Sequence, residues 1–142
     1  MASRRQFMRT ACGTATAALC GGISLSTTSC SPVPSVTPEV SDKGLSIPVS
    51  ALAENPSVIV KRGLAPPIVV HRSDLGNYTA LLLSCTHKAC RPEVFEYSLD
   101  CPCHGSQFDF DGRVLSGPAE QDLQIFHVTE DGNGNLFIAL EQ

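Results

Sequence analysis

Four cysteines and two histidines of this chain fall into two short boxes, Cys85-Thr86-His87-Lys88-Ala89-Cys90 and Cys101-Pro102-Cys103-His104-Gly105-Ser106. The spacings C-x-H and C-x-x-H let each box offer one thiolate and one imidazole to a metal centre. A Cys2His2 zinc site would be complete with four ligands and would leave Cys90 and Cys103 without a task. A mixed-ligand iron-sulfur centre accounts for all six residues. A zinc ribbon also pairs its cysteines at C-x2-C, which is not the spacing here, so zinc is the weaker of two readings that spacing alone leaves open.

The two boxes, the thirteen residues between His87 and Cys101, and the Gly105-Ser106 pair behind the last histidine together resemble the Rieske family, from about Leu45 to the end of the chain. The resemblance implies a [2Fe-2S] cluster, with Cys85 and Cys101 on one iron and His87 and His104 on the other. It further implies a disulfide between Cys90 and Cys103, typical of the respiratory and photosynthetic members and absent from most Rieske-type ferredoxins. Ser106 matches the position whose hydroxyl donates to a bridging sulfide, a bond that favours the reduced cluster and raises its potential. Gly117-Pro118-Ala119 resembles the loop that covers the cluster from a third side.

Two neutral imidazoles in place of two thiolates make the cluster less negative, so an added electron costs less. General ranges are roughly -150 to +300 mV for Rieske centres against about -400 mV for plant-type ferredoxins. Imidazoles near solvent can also carry protons, which couples electron uptake to proton uptake and suits quinol oxidation. By resemblance His104 is the expected quinol contact, with His87 beside it. Two departures stand out. Phe108 replaces the tyrosine usual in high-potential members, which implies an intermediate potential suited to a quinone such as menaquinone. Lys88-Ala89 replaces the usual Leu-Gly, placing a charge where an apolar docking tip is expected. His71 and His127 are expected to serve packing or surface only.

The segment Ser3-Arg4-Arg5-Gln6-Phe7-Met8, with an uncharged stretch from Thr10 to Ser29 behind it, resembles a twin-arginine export signal. Export would place the domain where disulfides persist. Cys12 and Cys20 read as small apolar residues of the signal core. Cys30 follows Ser29 in the layout of a lipoprotein signal; lipidation there, retention of the segment as an anchor, and plain cleavage all fit. The first two hold the domain on the outer, periplasmic face of a membrane.

Positioning two loops at one end of a domain requires a rigid scaffold. Residues 1–30 are read as signal or anchor, 31–44 as a Pro-rich spacer, and 45–142 as one small domain. Its short β-branched runs, separated by Pro, Gly, Asn and Asp, predict strands over Ser46–Val49, Ser57–Lys61, Ile68–Arg72, Tyr78–Ser84, Glu93–Ser98, Gln124–Thr129 and Leu136–Leu140. Ala51 to Asn55 offers at most one helical turn. The predicted class is all-β, a small antiparallel Rieske sandwich with both cluster loops at one end. Asp131-Gly132-Asn133-Gly134-Asn135 carries the turn chemistry of a closing hairpin.

A net charge of -4 gives no footing for nucleic acid. The resemblance implies one-electron transfer as the iron-sulfur subunit of a quinol-oxidising cytochrome bc-type complex, with a cytochrome b-type subunit and a c-type cytochrome as partners. An exported stand-alone carrier, or a small subunit of another periplasmic oxidoreductase of the arsenite-oxidase kind, is the alternative. A ferredoxin feeding a dioxygenase fits export and a disulfide least well.

Overall fold

The computed structural model describes residues 32–140. The signal reading of 1–30, with Cys12, Cys20 and Cys30, lies outside the described residues. Runs such as Val58-Ile59-Val60 and Ile68-Val69-Val70 are apolar at every position, a pattern that suits a strand covered on both faces. The two runs pair antiparallel, Val58 opposite Val70 and Val60 opposite Ile68. They form the middle of a five-stranded sheet in the order Ser35–Val36, Ser57–Arg62, Ala65–Arg72, Tyr78–Leu82, Ile125–Phe126.

Each face of that sheet has its own core. Val58, Val60, Ile68, Val70 and Ala80 pack with Leu45, Ile47, Leu136 and Ile138. The last four belong to a second sheet, ordered Val128–Glu130, Asn135–Ala139, Gly44–Pro48, Glu39–Ser41. Val69, Leu81 and Leu83 pack the other way, against Leu99, Phe108 and the two cysteines Cys85 and Cys101. Leu99 and Phe108 sit in the third sheet, ordered Val114–Ser116, Gln107–Phe108, Leu99–Asp100, Glu93–Val94. The first cluster box precedes this third sheet in sequence and the second joins its strands Leu99–Asp100 and Gln107–Phe108, and the buried cysteines of both pack on the middle sheet. All pairings are antiparallel except that of Ser35–Val36 with Ser57–Arg62.

The all-β class and the longer strands of the first two sheets agree with the sequence, and Val49–Leu52 forms one 3-10 turn. Three expectations need correction. The predicted strand Glu93–Ser98 is a hairpin, with Val94 opposite Leu99 and a turn closed by the Phe95 N–H donating to the Ser98 carbonyl at 2.8 Å. Phe95 and Tyr97 are strand formers by type, yet both stand exposed at its tip. The predicted strand Gln124–Thr129 breaks at His127, because the chain leaves the middle sheet after Phe126 and enters the second sheet at Val128. Within the expected spacer, Ser35–Val36 and Glu39–Ser41 pair into two different sheets. Backbone pairing there needs no apolar side chains, so the Pro-rich composition gave no sign of it.

The closing hairpin forms as expected, Val128–Glu130 against Asn135–Ala139. Asp131 organises its turn: Oδ1 accepts the N–H groups of Asn133 and Asn135 at 2.8 and 3.0 Å, and Oδ2 accepts from Asn135 Nδ2 at 3.0 Å. At Gly44, opposite Ala139, a Cβ would run into the Ile138 carbonyl, so only glycine lets these strands close up.

Candidate metal centre

Both boxes fold into the same loop. In the first, the Cys85 N–H donates to the Cys90 carbonyl at 2.8 Å and the Ala89 N–H returns to the Cys85 carbonyl at 2.7 Å. In the second, the Cys101 N–H donates to the Ser106 carbonyl at 2.7 Å and the Gly105 N–H to the Cys101 carbonyl at 2.9 Å. The fifth residue of each loop is left-handed, Gly105 at φ 79° and Ala89 at φ 56°. Glycine takes that conformation freely, whereas alanine pays for it in contact between Cβ and carbonyl. Ala89 is the one non-glycine residue with positive φ among those described.

A disulfide joins Cys90 to Cys103, with an S–S distance of 2.05 Å, and clips the loops together. Cys85 and Cys101 are buried and unbonded. The Cys101 sulfur lies within 4.8 Å of both disulfide sulfurs, but those two are already spent on each other. On the outer side, the rings of His87 and His104 meet edge to face with centroids 4.8 Å apart. His104 is exposed and His87 half-buried.

The two free thiols are held differently. Burial pushes Cys85 up, but the N–H of His87, the thiol of Cys101, the hydroxyl of Ser106 and the N–H of Lys88 outweigh it and bring Cys85 below the ordinary thiol range. Cys101 is pushed up, chiefly by burial, while the Cys103 N–H works against the rise and Cys85 adds to it. Hydrogen-bond donors thus converge on the sulfur that would carry negative charge. His87 Nδ1 is buried without a hydrogen-bond partner among the described residues. A buried imidazole nitrogen left unpaired beside two free buried thiols is the donor set of a metal centre with soft and intermediate ligands.

A third segment closes over the loops. Ser106, fully buried, accepts the Ala119 N–H at 3.0 Å, just after the cis peptide Gly117-Pro118. Thr86 Oγ1 donates to the Gln121 carbonyl at 2.6 Å, tying the first loop to the same segment. Sequence reading missed Thr86 and Gln121. Their partnership spans 35 positions and runs through a backbone carbonyl, so the one available signal was a hydroxyl residue inside the first box. The disulfide Cys90–Cys103, the ring contact of His87 with His104 and the Ser106 bond all lie in the two loops that hold Cys85 and Cys101, while His127 is exposed and His71 stacks on Phe110.

These features define a β-sheet metalloprotein whose centre is held between two like loops by paired thiols and imidazoles. Residues 45–127 match the Rieske [2Fe-2S] domain, and the chain belongs to that family. Its cofactor is accordingly a [2Fe-2S] cluster, which the buried free thiols and the unpaired His87 nitrogen fit.

The chloroplastic cytochrome b6-f complex iron-sulfur subunit of Bigelowiella natans is 42% identical over 69 residues, 47% of this chain and 27% of the relative. The corresponding subunit of Synechococcus sp. (strain JA-2-3B'a(2-13)) is 39% identical over 72 residues, 49% of this chain and 41% of the relative. The ubiquinol-cytochrome c reductase iron-sulfur subunit of Bradyrhizobium diazoefficiens is 48% identical over 44 residues, 29% of this chain and 25% of the relative. The matches thus take in well under half of each curated relative. Among solved structures, the plasma membrane Rieske protein of Synechocystis PCC 6803 superposes with a TM-score of 0.57 at 25% identity, covering 70% of this chain and 98% of that one.

Proposed function

We propose that this chain transfers single electrons as the iron-sulfur subunit of a quinol-oxidising complex of the cytochrome bc type, with a cytochrome b-type subunit and a c-type cytochrome as its partners. The observation that carries the reading is the pair of free, buried thiols backed by two adjoining imidazoles and clipped by the Cys90–Cys103 disulfide. Cys85 and Cys101 would hold the inner iron of the cluster, and His87 and His104 the outer iron. When bound, the cluster supplies a one-electron acceptor at a potential raised by its two neutral ligands.

The chain's own residues do the rest. Buried Cys85 and Cys101 shut water away from the sulfur side. Ser106 is fixed by the Ala119 N–H, so its hydroxyl hydrogen is free to point at sulfur. Exposed His104 is the residue that can meet a quinol hydroxyl and take its proton. A hollow of about 510 Å³ beside His87, lined by Thr86, Pro118, Glu120 and Gln121, leaves that ring open to solvent as well.

The disulfide supports an oxidising compartment, and with it the twin-arginine signal and a domain held at the outer face of the membrane by residues 1–30 or a lipid on Cys30. No helix among the described residues is long and apolar enough to cross a membrane. One observation favours the alternative of a periplasmic carrier or small subunit of another oxidoreductase: Lys88 is exposed in the first cluster loop, where insertion into an apolar pocket would cost its hydration.

Co-purification from detergent-solubilised membranes separates the two readings. Haem bands of b- and c-type cytochromes are expected, whereas a pterin cofactor in their place would overturn the first reading. The ligand set is tested by EPR of the reduced protein: His87→Ala or His104→Ala should abolish the signal of a His-ligated cluster, and an unchanged signal would remove that residue from the set.

A further inference from the structure

Residues 32–140 carry thirteen acidic and seven basic side chains, yet three of those seven gather in one groove. This groove, about 600 Å³, is bordered by Lys61, Arg62 and Arg91, and no acidic residue lines it. Its geometry depends on an irregularity. Between the pairs Val60–Ile68 and Arg62–Ala65 the register shifts: Lys61 alone stands against Pro66 and Pro67, so the extra residue of the bulge lies on the facing strand. In a regular strand consecutive side chains point to opposite faces; here, where the ladder is locally disrupted and the hairpin end bends, both Lys61 and Arg62 border the groove.

Arg62 is held in place from behind, its guanidinium 5.8 Å from the Phe126 ring centre and Nη1 donating to the Pro66 carbonyl at 3.4 Å. Arg91 comes from the far side, one residue after the disulfide Cys90. None of the three cations is in an ion pair among the described residues, where the single pair is Arg113 with Asp111. A second hollow of about 420 Å³ adjoins, sharing Val33, Ile59 and Arg91, and has Glu93 in its wall.

We propose that this groove binds a phosphate group, carried by the headgroup of an anionic lipid. Unpaired Lys and Arg side chains converging from one strand and a loop are the donors a phosphodiester needs. The lipid as source follows from the other wall: Val33, Ser35 and Thr37 line the groove and Pro32 the adjoining hollow, in the segment that follows Cys30 directly. The site stands on the residues of the groove; only the source rests on the membrane attachment proposed above. An acidic head is repelled by an anionic surface, and this one basic groove gives it a face to present.

The test uses the full-length, cluster-loaded chain in neutral detergent, titrated calorimetrically with dihexanoyl phosphatidylglycerol, dihexanoyl phosphatidylcholine and sodium phosphate. Phosphatidylglycerol should bind, bind less tightly as salt rises, and lose roughly tenfold or more in affinity in Lys61→Gln/Arg91→Gln. Inorganic phosphate binding as tightly as the lipid would support the phosphate site and overturn the lipid source. Equal binding of both lipids, no binding of any probe, or unchanged affinity in the double variant would overturn the proposal. Should the double variant lose its cluster spectrum, the two single variants are read by the same criteria. The mass of the mature chain reports separately on Cys30, so attachment and groove can fail independently.

Discussion

Phe108 is fully buried in the core beneath the cluster loops, at the position where the family resemblance implies a tyrosine donating to a ligand sulfur in high-potential members. A bond of about 1.5 to 3 kcal/mol to charged sulfur corresponds to roughly 65 to 130 mV for one electron. Phe108→Tyr should therefore raise the reduction potential by up to that amount in an EPR-monitored titration. A hydroxyl that finds no sulfur would instead be buried unsatisfied, leaving the potential unchanged and lowering stability by about 1 to 3 kcal/mol. Ala89 offers a second test. Its left-handed φ of 56° costs an L-residue about 1 to 2 kcal/mol, part of which returns as the greater chain entropy of glycine. Ala89→Gly is expected to stabilise the holoprotein by about 1 kcal/mol, read as a higher thermal midpoint; a lower midpoint would mean that the loop is not strained there.

The disulfide is the cross-link between the two loops, and its cysteines are 13 positions apart. Closing a loop of that size stabilises by about 3 kcal/mol in the chain-entropy picture. The double substitution Cys90→Ser/Cys103→Ser should lower the thermal midpoint and speed loss of the cluster to a chelator, and equal chelator resistance would show that the loops hold together without it. The loops were also the most legible part of the sequence, because cysteine and histidine spacing is read without knowing any tertiary contact. The strands of the middle sheet were legible for a related reason: Val58 to Val60 and Ile68 to Val70 are long enough to show their apolar character. Two-residue strands such as Gln107–Phe108 show no period at all and exist only through their partners. The same holds for the break at His127, since nothing local marks the point where a strand passes from one sheet to another.

At the scale of the molecule, the middle sheet and the segment that follows the second cluster loop meet through His71. Its ring stacks on Phe110 with centroids 3.7 Å apart, and Nδ1 shares a hydrogen bond of 2.9 Å with Ser57 Oγ. Burial lowers its pKa from the ordinary 6.5, and the nearby carboxylate of Asp74 only partly opposes this. The unfolded chain thus binds a proton more readily than the folded one, so the contribution is present in full above about pH 6.5 and is lost as pH falls through the lower folded value. Thermal midpoints measured from pH 7.5 down to 5 should fall more steeply for the parent than for His71→Phe, which keeps the stack and cannot protonate. Parallel curves would remove His71 as the cause.

If the chain is attached at Cys30 as proposed above, pairing of Ser35–Val36 with the edge of the middle sheet sets the length of the leash. Had the chain stayed free up to Gly44, a head held at Cys30 would swing on fourteen residues, roughly 45 to 50 Å when taut. With the sheet claiming the chain at Ser35, only residues 31–34 remain, a radius of roughly 14 Å. With that attachment and the partners proposed above, electron donor and acceptor would sit within a small arc of one another, or the head would have to peel its first two strands to travel between them.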